Sequence, residues 1–311
     1  NNSGTVSFPQ NSSGIVLNHE DGIFKLAGTG TVQAVQVSTA ANAGKGILVK
    51  KSGTVSNLKI SADTELNIAN GKTLYGETEV AANKTLSLTS TGTLNSALNL
   101  EGTLEVGANL KVSGLISFST NSTSSNLGTT ISIPDANTTL TYSGGDLKVE
   151  THILSLAGSG TFSNNANSPF VVGGEGSGLY ITGNGTVAGP IRINLSTLKA
   201  SGSPTISGDI TQSDDAAIEV ASNQTLSYSG ASLNLGANKL SLKGGGTLSN
   251  SNALVLNDAD SLLSLEGIGT IGGVRATVNA NSDKGIQVVE SSTLGSFDLS
   301  AISYLNVSES K

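Results

Sequence analysis

Apolar and polar residues alternate in short runs along this chain, and glycine and asparagine separate the runs. In LSLAGSGTF at 154–162, Leu154, Leu156 and Phe162 share one parity while Ser155 and Thr161 take the other. Period-two alternation predicts short strands with one buried face. Gly158 and Gly160 predict a turn between two strands, because glycine reaches φ values that other residues avoid. The layout returns as LSLKGGGTL at 240–248, LYITGNGTV at 179–187 and IFKLAGTGTV at 23–32. No stretch carries sustained helical periodicity with caps.

The alternation is itself periodic. Thr followed by an aliphatic residue or Phe occurs at Thr31-Val32, Thr54-Val55, Thr73-Leu74, Thr93-Leu94, Thr139-Leu140, Thr161-Phe162 and Thr186-Val187. It continues at Thr205-Ile206, Thr225-Leu226, Thr247-Leu248, Thr270-Ile271 and Thr293-Leu294, and Thr5-Val6 adds a rung at the start. Gly114-Leu115 is expected to fill the one gap, between Leu94 and Leu140. From Val32 to Leu294 successive rungs are then 19 to 25 residues apart. Longer similarity overlies this ladder. TLTYSGGDLKVETHILSLAGSGTFSNN at 139–165 aligns without a gap on TLSYSGASLNLGANKLSLKGGGTLSNS at 225–251, and 16–68 aligns on 255–307 at a constant offset of 239. Blocks several rungs long have been duplicated.

A sandwich or barrel also alternates strands and turns, but it does not require the same side chain at the same place every 22 or so residues. A solenoid does, because equivalent residues of successive coils stack at the strand spacing, about 4.8 Å. The expected fold is therefore all-β: a right-handed parallel β-helix of about 13–14 coils of 19–25 residues, forming a single repeat domain over 1–311. The variable step argues against the six-residue period of a left-handed helix, and right-handed crossover is the usual hand of parallel connections.

Composition sharpens this picture. Only 4% of residues are aromatic, Trp and Met are absent, and Gly numbers 39. Leu, Ile, Val and Ala suit a narrow interior filled layer by layer, whereas irregular cores draw on aromatics and Met. Regularly placed apolar pairs also argue against disorder in this Gly/Ser/Thr-rich chain. The net charge of −7 comes from 23 acidic and 16 basic residues without a basic block, which excludes a nucleic-acid partner. Without Cys there is no disulfide, thiol or thiolate–metal chemistry. No apolar run approaches a transmembrane span. The start, NNSGTV, reads as that of a fragment or mature part of a longer surface protein.

Segments such as LSLAGSGTF, LNLEGTLEV and TLYGETEVAANKTLSLTSTGTL resemble the β-strand-repeat passengers of bacterial autotransporters and filamentous-haemagglutinin-like adhesins. The resemblance covers nearly the whole chain and is one of composition and period. It implies an exported protein of the bacterial outer surface, built as a long right-handed β-helix for adhesion, biofilm or surface-layer roles. No translocator barrel, secretion module or reiterated GGAI/FxxN pair accompanies it, and FSNN at 162–165 is a lone match.

Candidate chemistry is sparse. His19 in NHEDG adjoins Glu20 and Asp21, but its duplicate is Asp258 in NDADS, so a polar turn accounts for both. His152 corresponds to Asn238 in its own duplicate. Asp214-Asp215 is an adjacent acid pair, of the kind β-helix lyases and hydrolases use for acid–base work, yet neighbouring rungs offer it no further carboxylate. Asp258 and Asp260 lack the GGxGxD context of a calcium-loaded repeat, and GGD at 144–146 is an isolated fragment of it. Outward Thr could match ice only as two files, and a Thr-x-Thr that ends on a ladder Thr occurs only at Thr29/Thr31 and Thr91/Thr93. No catalytic, cofactor-binding or metal site is assigned, and no cofactor is expected.

The expected function is that of a non-enzymatic structural or adhesive surface protein, secreted or cell-surface, acting as a stiff rod. Polysaccharide-active β-helix enzymes and glycan- or receptor-binding modules are the alternatives. Candidate binding loops are 119–130 and 164–169. Open strand edges at uncapped ends predict either further chain or self-association, end to end or laterally.

Overall fold

The computed structural model describes residues 4–7, 14–118, 129–149 and 152–308. Among them there is no helix, and the strands stack in parallel as a β-solenoid of about 13 turns. The expected all-β fold of stacked parallel coils is found. The chain divides into two compact units, residues 1–147 with 157–168 and residues 148–156 with 169–311.

In the first unit each full coil contributes a long strand to one sheet and a short one to another. The long strands Thr31–Val37, Gly53–Ile60, Thr73–Val80 and Thr93–Leu100 pair in sequence order, and the shorter Gly46–Val49, Thr64–Ile68, Thr85–Leu88 and Thr103–Val106 do likewise on the second sheet. Inward positions form the core. Leu58, Leu66, Leu86, Leu94, Leu98 and Leu104 are fully buried. Each such side chain stabilises by roughly 1.5–3 kcal/mol relative to its exposed state.

In the second unit a third, shorter sheet appears. Phe170–Gly173, Ile191–Asn194 and Ile210–Gln212 pair in order and supply buried Phe170, Ile191 and Ile193. The chain turns into this sheet at a glycine corner. A Cβ on Gly208 would collide with the Gly189 carbonyl oxygen of the coil before, and one on Gly230 would press on the Gly208 carbonyl. The first unit has the same device at Gly114 and Gly144. Ser-Gly therefore recurs at 113–114, 143–144, 207–208 and 229–230, a second ladder beside that of Thr.

The Thr ladder holds in register for most of its length. Thr5 pairs with Thr31, Thr31 with Thr54, Thr73 with Thr93, Thr139 with Thr161, and Thr186 with Thr205. Thr225, Thr247, Thr270 and Thr293 complete it. Four steps depart from it, one of them where Lys111-Val112 pairs with Thr141-Tyr142, two residues beyond Thr139-Leu140. Lys111-Val112, not Gly114-Leu115, stands beside Thr93-Leu94, and Leu115 is 50% exposed. Thr205-Ile206 pairs with Ser227-Tyr228, two residues beyond the expected Thr225-Leu226. Thr54 pairs with Tyr75, two residues beyond Thr73, and a one-residue bulge between Val55 and Asn57 follows. A two-residue shift preserves the inward face, since side chains alternate with period two.

The duplication at offset 239 is retained in three dimensions. Asn42 donates its side-chain amide to Asp21 at 3.2 Å and Asn281 donates to Asp260 at 2.9 Å. Gly46 and Gly285, the matching turn exits, have φ of 94° and 93°.

Candidate functional site

The acids and histidines that the sequence singles out serve the turns. His19 Nδ1 accepts the Asp21 amide at 3.1 Å. Asp214 Oδ1 accepts the amide of Asp215, whose own carboxylate accepts the Lys239 amide of the next coil at 2.7 Å. Asp258 Oδ1 accepts the Asp260 amide at 2.9 Å. The same clasp recurs where Asp63 accepts from Thr85, Asp209 from Ala231 and Asn109 from Thr139, at 2.7–2.8 Å. Acidic turn residues here tie one coil to the next. His152 is buried, and its carbonyl accepts the Gly178 amide at 3.0 Å.

Other candidates resolve as plainly. Thr29 and Thr91 lie in bends, outside the strands that begin at Thr31 and Thr93, so no second Thr file forms there. In the 164–169 loop, Asn164 donates its side-chain amide to the Ser168 carbonyl at 2.9 Å, leaving residues 165–167 exposed. Positions 119–128 of the other loop lie outside the described residues, and Thr129 and Thr130 belong to strand Thr129–Ile133. Among the described residues no group of three His, Asp or Glu side chains could hold a metal ion.

Two charged constellations carry no signal in the sequence. In the second unit Glu266 Oε1 accepts from Ser241 and Ser264, each at 2.8 Å, and pairs with Lys239 at 3.0 Å. Its Oε2 pairs with Lys243 at 3.2 Å. Burial raises the pKa, but Lys239, the two hydroxyls and Lys243 outweigh it and hold the carboxyl at about 2. A carboxylate so satisfied is a structural anchor; it has no proton to give at neutral pH. Nearby, Lys199 pairs with Glu219 at 2.8 Å and lies 5.6 Å from the Tyr180 ring centre.

The second constellation is a groove of about 510 Å³ on the outer face of the first unit, lined by residues that include Asn57, Glu77, Glu79, Ala97, Asn99 and Phe118. Its geometry follows from register. Asn57, Glu77 and Ala97 form one outward column, and Lys59, Glu79, Asn99 and Ser117 form the next. Between them runs the inward column of Leu58, Thr78, Leu98 and Ile116. Thr78 and Ser96, both buried, share a 2.8 Å hydrogen bond beneath the surface. Gly76, at φ 119°, sits where a Cβ would collide with the Val55 carbonyl beside the bulge. Lys59 neutralises Glu79 at 3.1 Å, whereas Glu77 is exposed and no described residue pairs with it. Only alternation hints at these outward positions; the bulge that aligns them has no signal in a single strand's sequence.

The chain matches no protein-family model, no curated protein and no solved structure. Its geometry alone carries the functional reading. Among the described residues no helix is long and apolar enough to cross a membrane.

Proposed function

We propose that this chain is a non-enzymatic structural or adhesive protein of the bacterial cell surface, in the manner of autotransporter passengers and filamentous-haemagglutinin-like adhesins. One observation carries the reading: fully buried aliphatic files pass from coil to coil in register, as from Leu74 to Leu94 and from Leu226 to Leu248. Such stacking makes stiffness accumulate with coil number while the outer face stays polar. Secretion or surface display, with biofilm, layer or filament assembly as the context, completes the proposal.

Phe297, Leu299, Leu305 and Val307 continue the positions of Val274, Ala276, Ile286 and Val288 yet are 37–67% exposed. A further parallel coil would bury them, whether from the same chain or another copy. The test is antibody labelling of intact source cells with protease shaving. Surface label removed by protease is expected; label confined to permeabilised cells would refute the reading.

The groove favours a second reading, that of a glycan-binding module. Amides, carboxylates and a hydroxyl meet there, and the strands that carry Asn57, Glu77 and Asn99 are paired on both sides. A polysaccharide-active enzyme is the weaker form of this reading, since the pairing of Lys59 with Glu79 leaves Glu77 as the unpaired acid. A glycan array with the intact chain separates binding from a purely structural role.

A further inference from the structure

We infer that the groove formed by strands Gly53–Ile60, Thr73–Val80 and Thr93–Leu100 binds a short oligosaccharide that carries free amino groups. The inference rests on the glycan-binding reading and specifies its ligand. The volume of about 510 Å³ suits two or three sugar rings and lies in the usual range of ligand sites.

Charge selects the sugar class. Two carboxylates and one ammonium, Lys59, leave the groove one negative charge in excess, and that charge belongs to Glu77. A polyanionic glycan would meet like charge, whereas an ammonium would form a charge-assisted hydrogen bond with Glu77. Asn57 and Asn99 each offer donors and an acceptor to ring hydroxyls, and Ser117, whose hydroxyl donates to the Leu98 carbonyl at 3.5 Å, adds an acceptor. Ala97 places only a methyl group in the column that Asn57 and Glu77 begin, which leaves room above the strand for a ring.

Rigidity favours the same conclusion. The three strands are paired on both sides, and the Thr78–Ser96 bond lies directly under the floor. The site is therefore preformed, and little ordering is needed on binding.

Isothermal titration of the intact chain at low ionic strength tests the inference, with a glucosamine trimer, its fully N-acetylated form and a galacturonate trimer as probes. The amine trimer should bind about five-fold or more tightly than the acetylated one, the effect of one charge-assisted hydrogen bond, and the galacturonate trimer should give no heat. Glu77→Gln should bring the amine trimer down to the acetylated level, and Ala97→Arg should abolish binding of both. Both side chains point outward, so an unchanged thermal midpoint certifies the fold of each variant. Equal binding of the amine and acetylated trimers, lost in Ala97→Arg, would overturn the amino preference and leave the glycan reading intact. Absence of heat from all three probes, or binding that both variants leave unchanged, would remove the groove as the site. Neither result touches the surface-scaffold reading, which stands on cell labelling.

Discussion

The hydroxyl of Tyr228 accepts the backbone amide of Ile210, one coil earlier, at 3.2 Å, and donates to the Ala231 carbonyl at 2.6 Å. It bridges the glycine corner, where the chain leaves one sheet for another and the ladder would otherwise leave an amide unpaired. Tyr142 repeats the device in the first unit, accepting from the Ile116 amide at 3.4 Å. Buried amides left without a partner cost about 1–3 kcal/mol each. Tyr228→Phe should therefore lose roughly that amount in urea unfolding, and Tyr142→Phe less, since its bond is longer. Unchanged midpoints in both variants would show that the corners are held by packing alone.

Both phenols have pKa values raised above 10 by burial, assisted by Asp146 beside Tyr142 and Asp209 beside Tyr228. A group whose pKa rises on folding stabilises the fold below its unfolded pKa and loses that contribution as pH climbs through the folded value. Alkaline titration read by tyrosinate absorbance should show these two phenols ionising above the ordinary value for tyrosine, with stability falling only above pH 10 or so.

Glu266 behaves in the opposite sense. Its carboxyl lies at about 2 in the folded chain against 4.5 unfolded, so its contribution is complete above pH 4.5 and disappears as pH falls toward 2. Thermal midpoints across that window should drop more in the parent than in Glu266→Gln. At pH 7 the variant should be less stable by about 1–3 kcal/mol, since two lysines and two hydroxyls lose a charged acceptor.

The register correction near residue 112 has its own test. Leu110, 3% exposed, pairs with Leu140, whereas Leu115 is 50% exposed. Leu110→Ala should cost about 2–5 kcal/mol and Leu115→Ala about 0.5 or less, in the same unfolding assay. The reverse order would restore Gly114-Leu115 as the rung.

Asp215 is a clasp, so Asp215→Ala should destabilise by about 1 kcal/mol through the lost Lys239 amide bond. If Asp215 instead took part in glycan cleavage, the variant would lose a hydrolase or lyase activity measurable in the parent.

Much of this architecture is legible in the order of residues alone. Period-two alternation repeated every 19–25 residues admits few folds, because a file of Leu, Ile and Val at fixed intervals is buried only when coils stack. Thr along the ladder follows from the same logic: a β-branched residue fits a pleated strand, and its outward parity leaves it half-buried from Thr31 to Thr270. That Asp214 and Asp215 are turn residues also follows from the lack of carboxylates in neighbouring rungs.

Interactions between coils are another matter. The period of the chain determined by itself that like residues meet, for regular recurrence is a one-dimensional property. Which of two inward residues meets which was decided only in three dimensions, because slipping a strand by two positions keeps the same face buried and costs the pattern nothing. Hence Val112 takes the place beside Leu94, Ile206 meets Tyr228, and the bulge after Val55 brings Asn57 beside Glu77. The groove, and the contacts of Glu266 with Lys239, Ser241 and Lys243, exist only through such pairings between residues about twenty apart or more, whose side chains carry no mark of their partners.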